Sequence, residues 1–160
     1  MVVREYCAEL DREHVLDLSV RLSDFDFPGQ VSREVFTQSQ RGYMAQSLDE
    51  IKSDSLLLVV HEDASTESPL LGFLELNVVD CWMSGGGNKQ NQGYVSKLVL
   101  SKEAEGKGIA KELMTRAEDW AKSKGFASLA LDVFADNERA IGFYDYLGYD
   151  LEAKRMVKWF

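Results

Sequence analysis

The chain holds little cysteine or histidine: two of each among 160 residues. Cys7 and Cys81 lie far apart and His14 and His61 are isolated in sequence, so neither a zinc-ligand spacing nor a disulfide framework is present. Such thiols fit buried positions in a reducing compartment. Long apolar runs are missing too. No stretch approaches the roughly 20 residues that span a bilayer. The opening Met-Val-Val-Arg-Glu-Tyr lacks the basic start and apolar centre of a signal peptide. These absences predict a cytoplasmic protein with no membrane partner. Basic residues are also outnumbered, 18 Lys and Arg against 27 Asp and Glu, for a net charge of -9. A nucleic acid is therefore not expected as the main partner, because phosphate backbones call for clustered cations. The excess of acid permits a cationic substrate drawn in by steering, or serves solubility alone.

What is present is enough for a core. The hydrophobic fraction is 45%, too high for disorder, and the length suits a single domain over 1–160. Hydrophobic periodicity predicts a strand over 2–6 and a helix capped by Asp11 with Val15, Leu16, Leu18 and Leu22 on one face. Asp24 to Gly29 breaks that helix, and Ser32 starts a second one running toward Met44 and Ile51. Strands follow over 55–61 and 70–80. In the second, Phe73, Glu75 and Asn77 alternate with Leu74, Leu76 and Val78. The glycine-rich stretch 84–93 has no Gly-Lys-Ser/Thr ending and no flanking helix, so it reads as a hairpin loop rather than a phosphate loop. Next come a strand over 94–100, a helix over 108–124 closed by Gly125, and a strand over 127–133. A short helix capped by Asp136 or Asn137 and ended by Gly148 precedes a final strand over 155–160. The order β-α-α-β-β-β-α-β-α-β is that of a mixed α/β (α+β) domain.

Two segments carry chemistry. Glu105-Gly106-Lys107-Gly108-Ile109-Ala110 joins a strand to an amphipathic helix. The first amides of a helix have no internal partner and sit at the positive end of its dipole. Glycines at 106 and 108 let a ligand reach them, so the turn suits a phosphate. The third glycine of a dinucleotide fingerprint is replaced by Lys111, which argues against a nicotinamide cofactor. Downstream, Asp132 ends a strand, Asn137 lies in the turn and Tyr144 on the following helix.

The run from Leu98 to Tyr149 resembles the GNAT superfamily of acyl-CoA-dependent N-acetyltransferases. It is similar to that family's acetyl-CoA motif followed by its Asn-x-x-Ala-x-x-Phe-Tyr-x-x-x-Gly-Tyr/Phe motif. The resemblance implies a GNAT-like single domain: a mixed central sheet with splayed middle strands and helices on both faces. It implies acetyl-CoA as cosubstrate. Backbone groups of Val99 and Leu100 would then meet the pantetheine arm, and the amides of Gly106, Lys107, Gly108, Ile109 and Ala110 the pyrophosphate. Asn137 would contact the arm or an ordered water beside it, and Tyr144 would lie near the thioester sulfur as general acid.

Asp132 stands where ribosomal-protein N-terminal acetyltransferases hold a carboxylate, which makes it the candidate base. It equally suits a strand-end carboxylate that caps the turn or meets Arg139. Glu75 and Asp80 are rivals for base or amine binding, and Asp24 and Asp26 are placed to face a cationic acceptor. The family usually carries Gln or Arg before its glycines. Here Glu103 and Glu105 precede them, which predicts weakened coenzyme affinity unless the acids turn to solvent. The expected acceptor is a small-molecule primary amine. A protein N-terminus or lysine is the alternative, as is an acyl-CoA sensor without turnover. A homodimer is a possible assembly.

Overall fold

The computed structural model describes residues 1–24, 32–63, 68–80 and 91–158. The chain runs β1 (Val2–Glu5), α1 (Ala8–Ser19), a 3-10 turn (Val20–Asp24), α2 (Arg33–Asp49), β2 (Leu56–His61), β3 (Gly72–Asp80) and β4 (Asn91–Leu100). A 3-10 turn (Lys102–Ala104), α3 (Ile109–Ser123), β5 (Leu129–Leu131) and α4 (Glu138–Leu147) complete it. The strands form one sheet in the order β1-β2-β3-β4-β5. All neighbours are antiparallel except β4 and β5, which run parallel.

Alternation along the strands decides which helices cover which face. Leu74, Leu76, Val95 and Leu58 point to one side, where Ile109, Leu113, Met114 and Ala117 of α3 cover them. Phe73, Val59, Leu57 and Val99 point to the other, against Val15 and Leu16 of α1 and Met44 and Leu48 of α2. The sheet thus carries helices on both faces, and β2 is buried along its whole length. The apolar stripe of α3 ends at Gly125 (φ 75), whose left-handed conformation lets Phe126 N–H reach back to Ala121 C=O.

Two features of β3 and β4 place the site. Glu75 pairs with Lys97 while Leu76 pairs with Val95, so Ser96 is an extra residue, a bulge that reverses the facing of β4. Beyond it, β4 continues to Leu100, whereas its pairing with β5 covers only Gly93–Val95 against Leu129–Leu131. The two parallel strands therefore part company, leaving the C-terminal half of β4 without a paired strand on that side among the described residues. Gly72 is required opposite this half: a Cβ there would lie 2.9 Å from the Val99 carbonyl.

Two sequence expectations need correction. Asp11 does not cap α1; Cys7 occupies the N-cap position, and Asp11 reaches back from the first turn to accept the Cys7 N–H at 2.8 Å. Its carboxylate is fully buried between the Arg4 guanidinium (2.6 and 2.8 Å) and His61. A charge with such partners is held inside rather than spent as a surface cap. The expected strand at the C-terminus is not formed in its described part, and residues 151–158 are exposed and outside the sheet. Glu152, Lys154, Arg155 and Lys158 interrupt the apolar alternation there, and Leu151, Met156 and Val157 find no cover. Cys81, the loop residues up to 90, and Trp159 and Phe160 lie outside the described residues.

Candidate active site

The turn between β4 and α3 is built from two left-handed glycines, Gly106 (φ 74) and Gly108 (φ 79). Gly108 is the N-cap residue of α3 and offers no side chain to close the helix end. Lys107 N–H makes a long bond of 3.4 Å to the Ala104 carbonyl. Among the described residues, the amides of Gly106, Gly108, Ile109 and Ala110 meet no main-chain acceptor outside the helix's own ladder, and the first three residues of a helix have none within it. Nothing lies within 4 Å of where a Cβ would stand on Gly106 or Gly108. The donors converge on open space at a positive helix end, which fits a diphosphate and leaves room for its approach.

Across the gap, Asn137 caps α4, its Oδ1 accepting the Ala140 N–H at 3.1 Å. That leaves its amide nitrogen as the group free to donate. Tyr144 lies one face further along α4, half-buried against Phe143 and Tyr149 (ring centroids 5.3 and 5.8 Å). Its hydroxyl has no hydrogen-bond partner among the described residues. Burial pushes the phenol up from its ordinary value, so it stays protonated.

Asp132 follows β5 directly and is exposed. Its Oδ2 accepts a hydrogen bond from Tyr94 Oη at 3.1 Å. Burial first, and the Asp132 charge second, push the Tyr94 phenol up to about 12. Tyr94 therefore acts as a protonated donor to the carboxylate through Oδ2. Arg139 is not its partner. Sequence reasoning missed Tyr94, since a tyrosine at a strand start looks like any β-former; only the register that sets it beside Ala130 brings it to Asp132.

Glu75 and Asp24, two of the other named acids, are engaged. Glu75 is buried; Lys97 Nζ lies 2.7 Å from Oε2, while Ser47 Oγ and Asn77 Nδ2 each donate to Oε1 at 2.9 Å. Burial alone would raise its pKa, but the Lys97 hydrogen bond and charge, with Asn77 and Ser47, outweigh it and hold the carboxyl below its usual range. A carboxylate so occupied answers an internal cation and is not available as base or amine ligand. Asp24 pairs with Arg21 at 3.0 Å and Arg33 at 3.7 Å. Asp80 is exposed at the far end of β3, and Asp26 lies outside the described residues. Val99 turns its side chain into the core below α1 and α2. The Leu100 carbonyl is taken by Arg21 Nη1, so an arm entering here would meet the remaining main-chain groups of this strand end.

Glu105 does not stand as an uncompensated acid beside the cradle. Arg139 Nη1 meets its Oε2 at 2.7 Å and Arg21 Nη2 its Oε1 at 2.9 Å. These arginines, Arg139 first, hold the Glu105 carboxyl below its usual range.

The parallel strands β4 and β5 part beyond Val95, and the turn before α3 leaves helix amides without main-chain acceptors among the described residues. The chain belongs to the acetyltransferase (GNAT) family, whose sequence profile matches residues 20–149. Over 69 residues it is 35% identical to N-alpha-acetyltransferase 30 of Schizosaccharomyces pombe, covering 43% of this chain and 45% of that protein. Over 102 residues it is 29% identical to the spermidine N(1)-acetyltransferase of Thermoplasma acidophilum, covering 64% of this chain and 57% of that protein. The matches thus span about half the length of these curated relatives. The crystal structure of glucosamine-6-phosphate N-acetyltransferase from Arabidopsis thaliana superposes with a TM-score of 0.68 at 19% identity, covering 99% of this chain and 97% of that one, a likeness of fold.

Proposed function

We propose that this protein transfers an acetyl group from acetyl-CoA to a primary amine. The observation that carries this reading is the set of amides at Gly106, Gly108, Ile109 and Ala110 without main-chain acceptors among the described residues, beside strands that part. In this reading Lys107 adds a cation to the cradle, Asn137 Nδ2 orients the arm, and the free main-chain groups near Val99 and Leu100 receive it. Acetyl-CoA supplies an acyl group activated as a thioester.

The chain's own groups manage the protons. Amines are largely protonated near neutral pH. Asp132 Oδ1 draws the ammonium and receives the proton that must leave before nitrogen can attack. Tyr94 holds Asp132 by its other oxygen. Tyr144 Oη, kept protonated by burial, gives its proton to the departing sulfur.

For the acceptor, a small-molecule amine is the first reading, supported by the larger share of the chain, 64%, matched by the spermidine enzyme. The α-amine of a polypeptide is the second, favoured by the higher identity, 35%, to an N-alpha-acetyltransferase. Purified protein mixed with acetyl-CoA and a panel of polyamines, amino sugars and short peptides is the test. Release of free thiol with one acceptor class establishes the transferase and its substrate. Coenzyme binding without thiol release across the panel would make it an acyl-CoA sensor, and no coenzyme binding would sink the reading.

A further inference from the structure

Glu105 and Arg139 stand on opposite sides of the gap. Glu105 lies in the turn after β4, immediately before the first glycine of the cradle. Arg139 lies in the first turn of α4, which follows β5. Because β4 and β5 are parallel, both turns sit at the same end of the sheet. The 2.7 Å ion pair between these side chains therefore spans the end of the gap from one lip to the other.

The two arginines that hold Glu105 are not equivalent. Arg21 is committed three ways: to Glu105 Oε1 at 2.9 Å, to Asp24 Oδ2 at 3.0 Å and to the Leu100 carbonyl. It is a fixed post that keeps the carboxylate in place. Arg139 has no other partner among the described residues, and its side chain is 74% exposed. Among the described residues Glu105 alone holds it, so it is the freer of the two arginines. A diphosphate on the neighbouring amides would bring negative charge against Glu105 and offer Arg139 paired oxygens, which a guanidinium grips bidentately.

We propose that the Glu105–Arg139 ion pair is a latch across the mouth of the coenzyme cleft, opened when the phosphates of coenzyme A draw Arg139 off the carboxylate. This rests on the coenzyme reading given above. Glu105 acts as a built-in competitor. It occupies Arg139 while the cleft is empty and repels the diphosphate once the cleft is filled, so it loosens coenzyme binding and speeds release of the spent coenzyme. Glu105 and Arg139 thereby set coenzyme affinity without taking part in the proton transfers.

The test is calorimetric binding of coenzyme A, which needs no turnover, to the full chain and its variants. Glu105→Gln is expected to tighten binding about two- to fivefold and Arg139→Ala to weaken it by a similar factor, the scale of an exposed ion pair. The gain from Glu105→Gln shrinks when Arg139 is already alanine, because the latch is then gone. Equal or weaker binding by Glu105→Gln, or an undiminished gain in the double variant, overturns the latch. A readout on the unaltered protein accompanies this: the Arg139 Nε–H signal in an 15N spectrum, identified by its loss in Arg139→Lys, shifts on adding coenzyme A. Binding with that signal unmoved sinks the latch alone. No binding by the unaltered protein sinks the coenzyme reading and the latch with it.

Discussion

In the proposed reaction Tyr144, Asp132 and Tyr94 divide the proton work according to their surroundings. Tyr144 is half-buried with no acceptor for its hydroxyl among the described residues, and burial keeps its proton on. Substituting phenylalanine removes only that oxygen. Turnover is expected to fall about 100-fold, the scale of lost general acid help, with coenzyme A binding by calorimetry almost unchanged; full turnover would take Tyr144 out of the acid role. Asp132 differs from Tyr144 in being exposed and in having one oxygen tied to Tyr94. Asp132→Asn removes the base and is expected to cost about 100-fold or more in kcat. Tyr94→Phe leaves the base but not its orientation, and is expected to cost less while KM for acetyl-CoA holds steady. Steady-state kinetics on the two variants checks the order, and a larger loss from Tyr94→Phe would reverse the roles. At this scale the sequence was only partly legible. Asp132 and Tyr144 stood out through motif spacing, but Glu75, equally acidic and on a central strand, lies buried in an ion pair with Lys97. Which acid is occupied depends on the cations that the fold brings near it.

Secondary-structure elements matter here mainly through their ends. Among the described residues no side chain caps the N-terminus of α3, because its cap is a left-handed glycine and not a serine or aspartate. Gly108→Asp places a Cβ at φ 79, adds a carboxylate over the free amides and supplies the missing cap. Coenzyme A binding is expected to vanish while the far-ultraviolet circular dichroism stays that of the parent; retained affinity would mean the cradle lies elsewhere. The C-terminal half of β4 depends on Gly72 across the ladder. An alanine Cβ would stand 2.5 Å from Leu100 Cδ2 and 2.9 Å from the Val99 carbonyl. The first contact can yield by a rotamer change but the second is main chain, so Gly72→Ala displaces the strand end proposed to receive the pantetheine arm. A lowered Tm together with a raised KM for acetyl-CoA is expected, and an unaltered KM would separate this strand end from coenzyme binding. Helix existence and facing were legible in the 3.6-residue period of Ile109, Leu113, Met114 and Ala117. The bulge at Ser96 was not, because alternation through Tyr94–Leu100 gives no sign of one extra residue until β3 supplies the opposing register.

For the molecule as a whole, stability and pH are linked through buried acids. Glu75 and Asp11 are both held below their ordinary values: burial would raise each, and their cation and N–H partners outweigh it. A depressed folded pKa means that the unfolded chain takes up protons first as pH falls. The stabilisation is therefore complete above the ordinary carboxylate value, 4.5 for Glu75, and is lost as pH drops through the lower folded value. Glu75→Gln strands the buried Lys97 ammonium, a break that costs about 3–5 kcal/mol in buried pairs. Denaturant unfolding should show that difference constant around neutrality and narrowing below about pH 4; a difference independent of pH would mean that Glu75 is not ionised in the fold. No helix among the described residues is long and apolar enough to cross a membrane. By itself the sequence determined the order of elements as far as α4, the faces they bury and the glycine turn, because periodicity and left-handed glycines are local properties of the chain. Only the tertiary structure decided that Tyr94 serves Asp132, that Arg21 and Arg139 answer Glu105, and that the last segment stays out of the sheet. Each of these joins residues far apart in sequence, and such contacts are fixed by strand register and crossing chain segments, which no local pattern encodes.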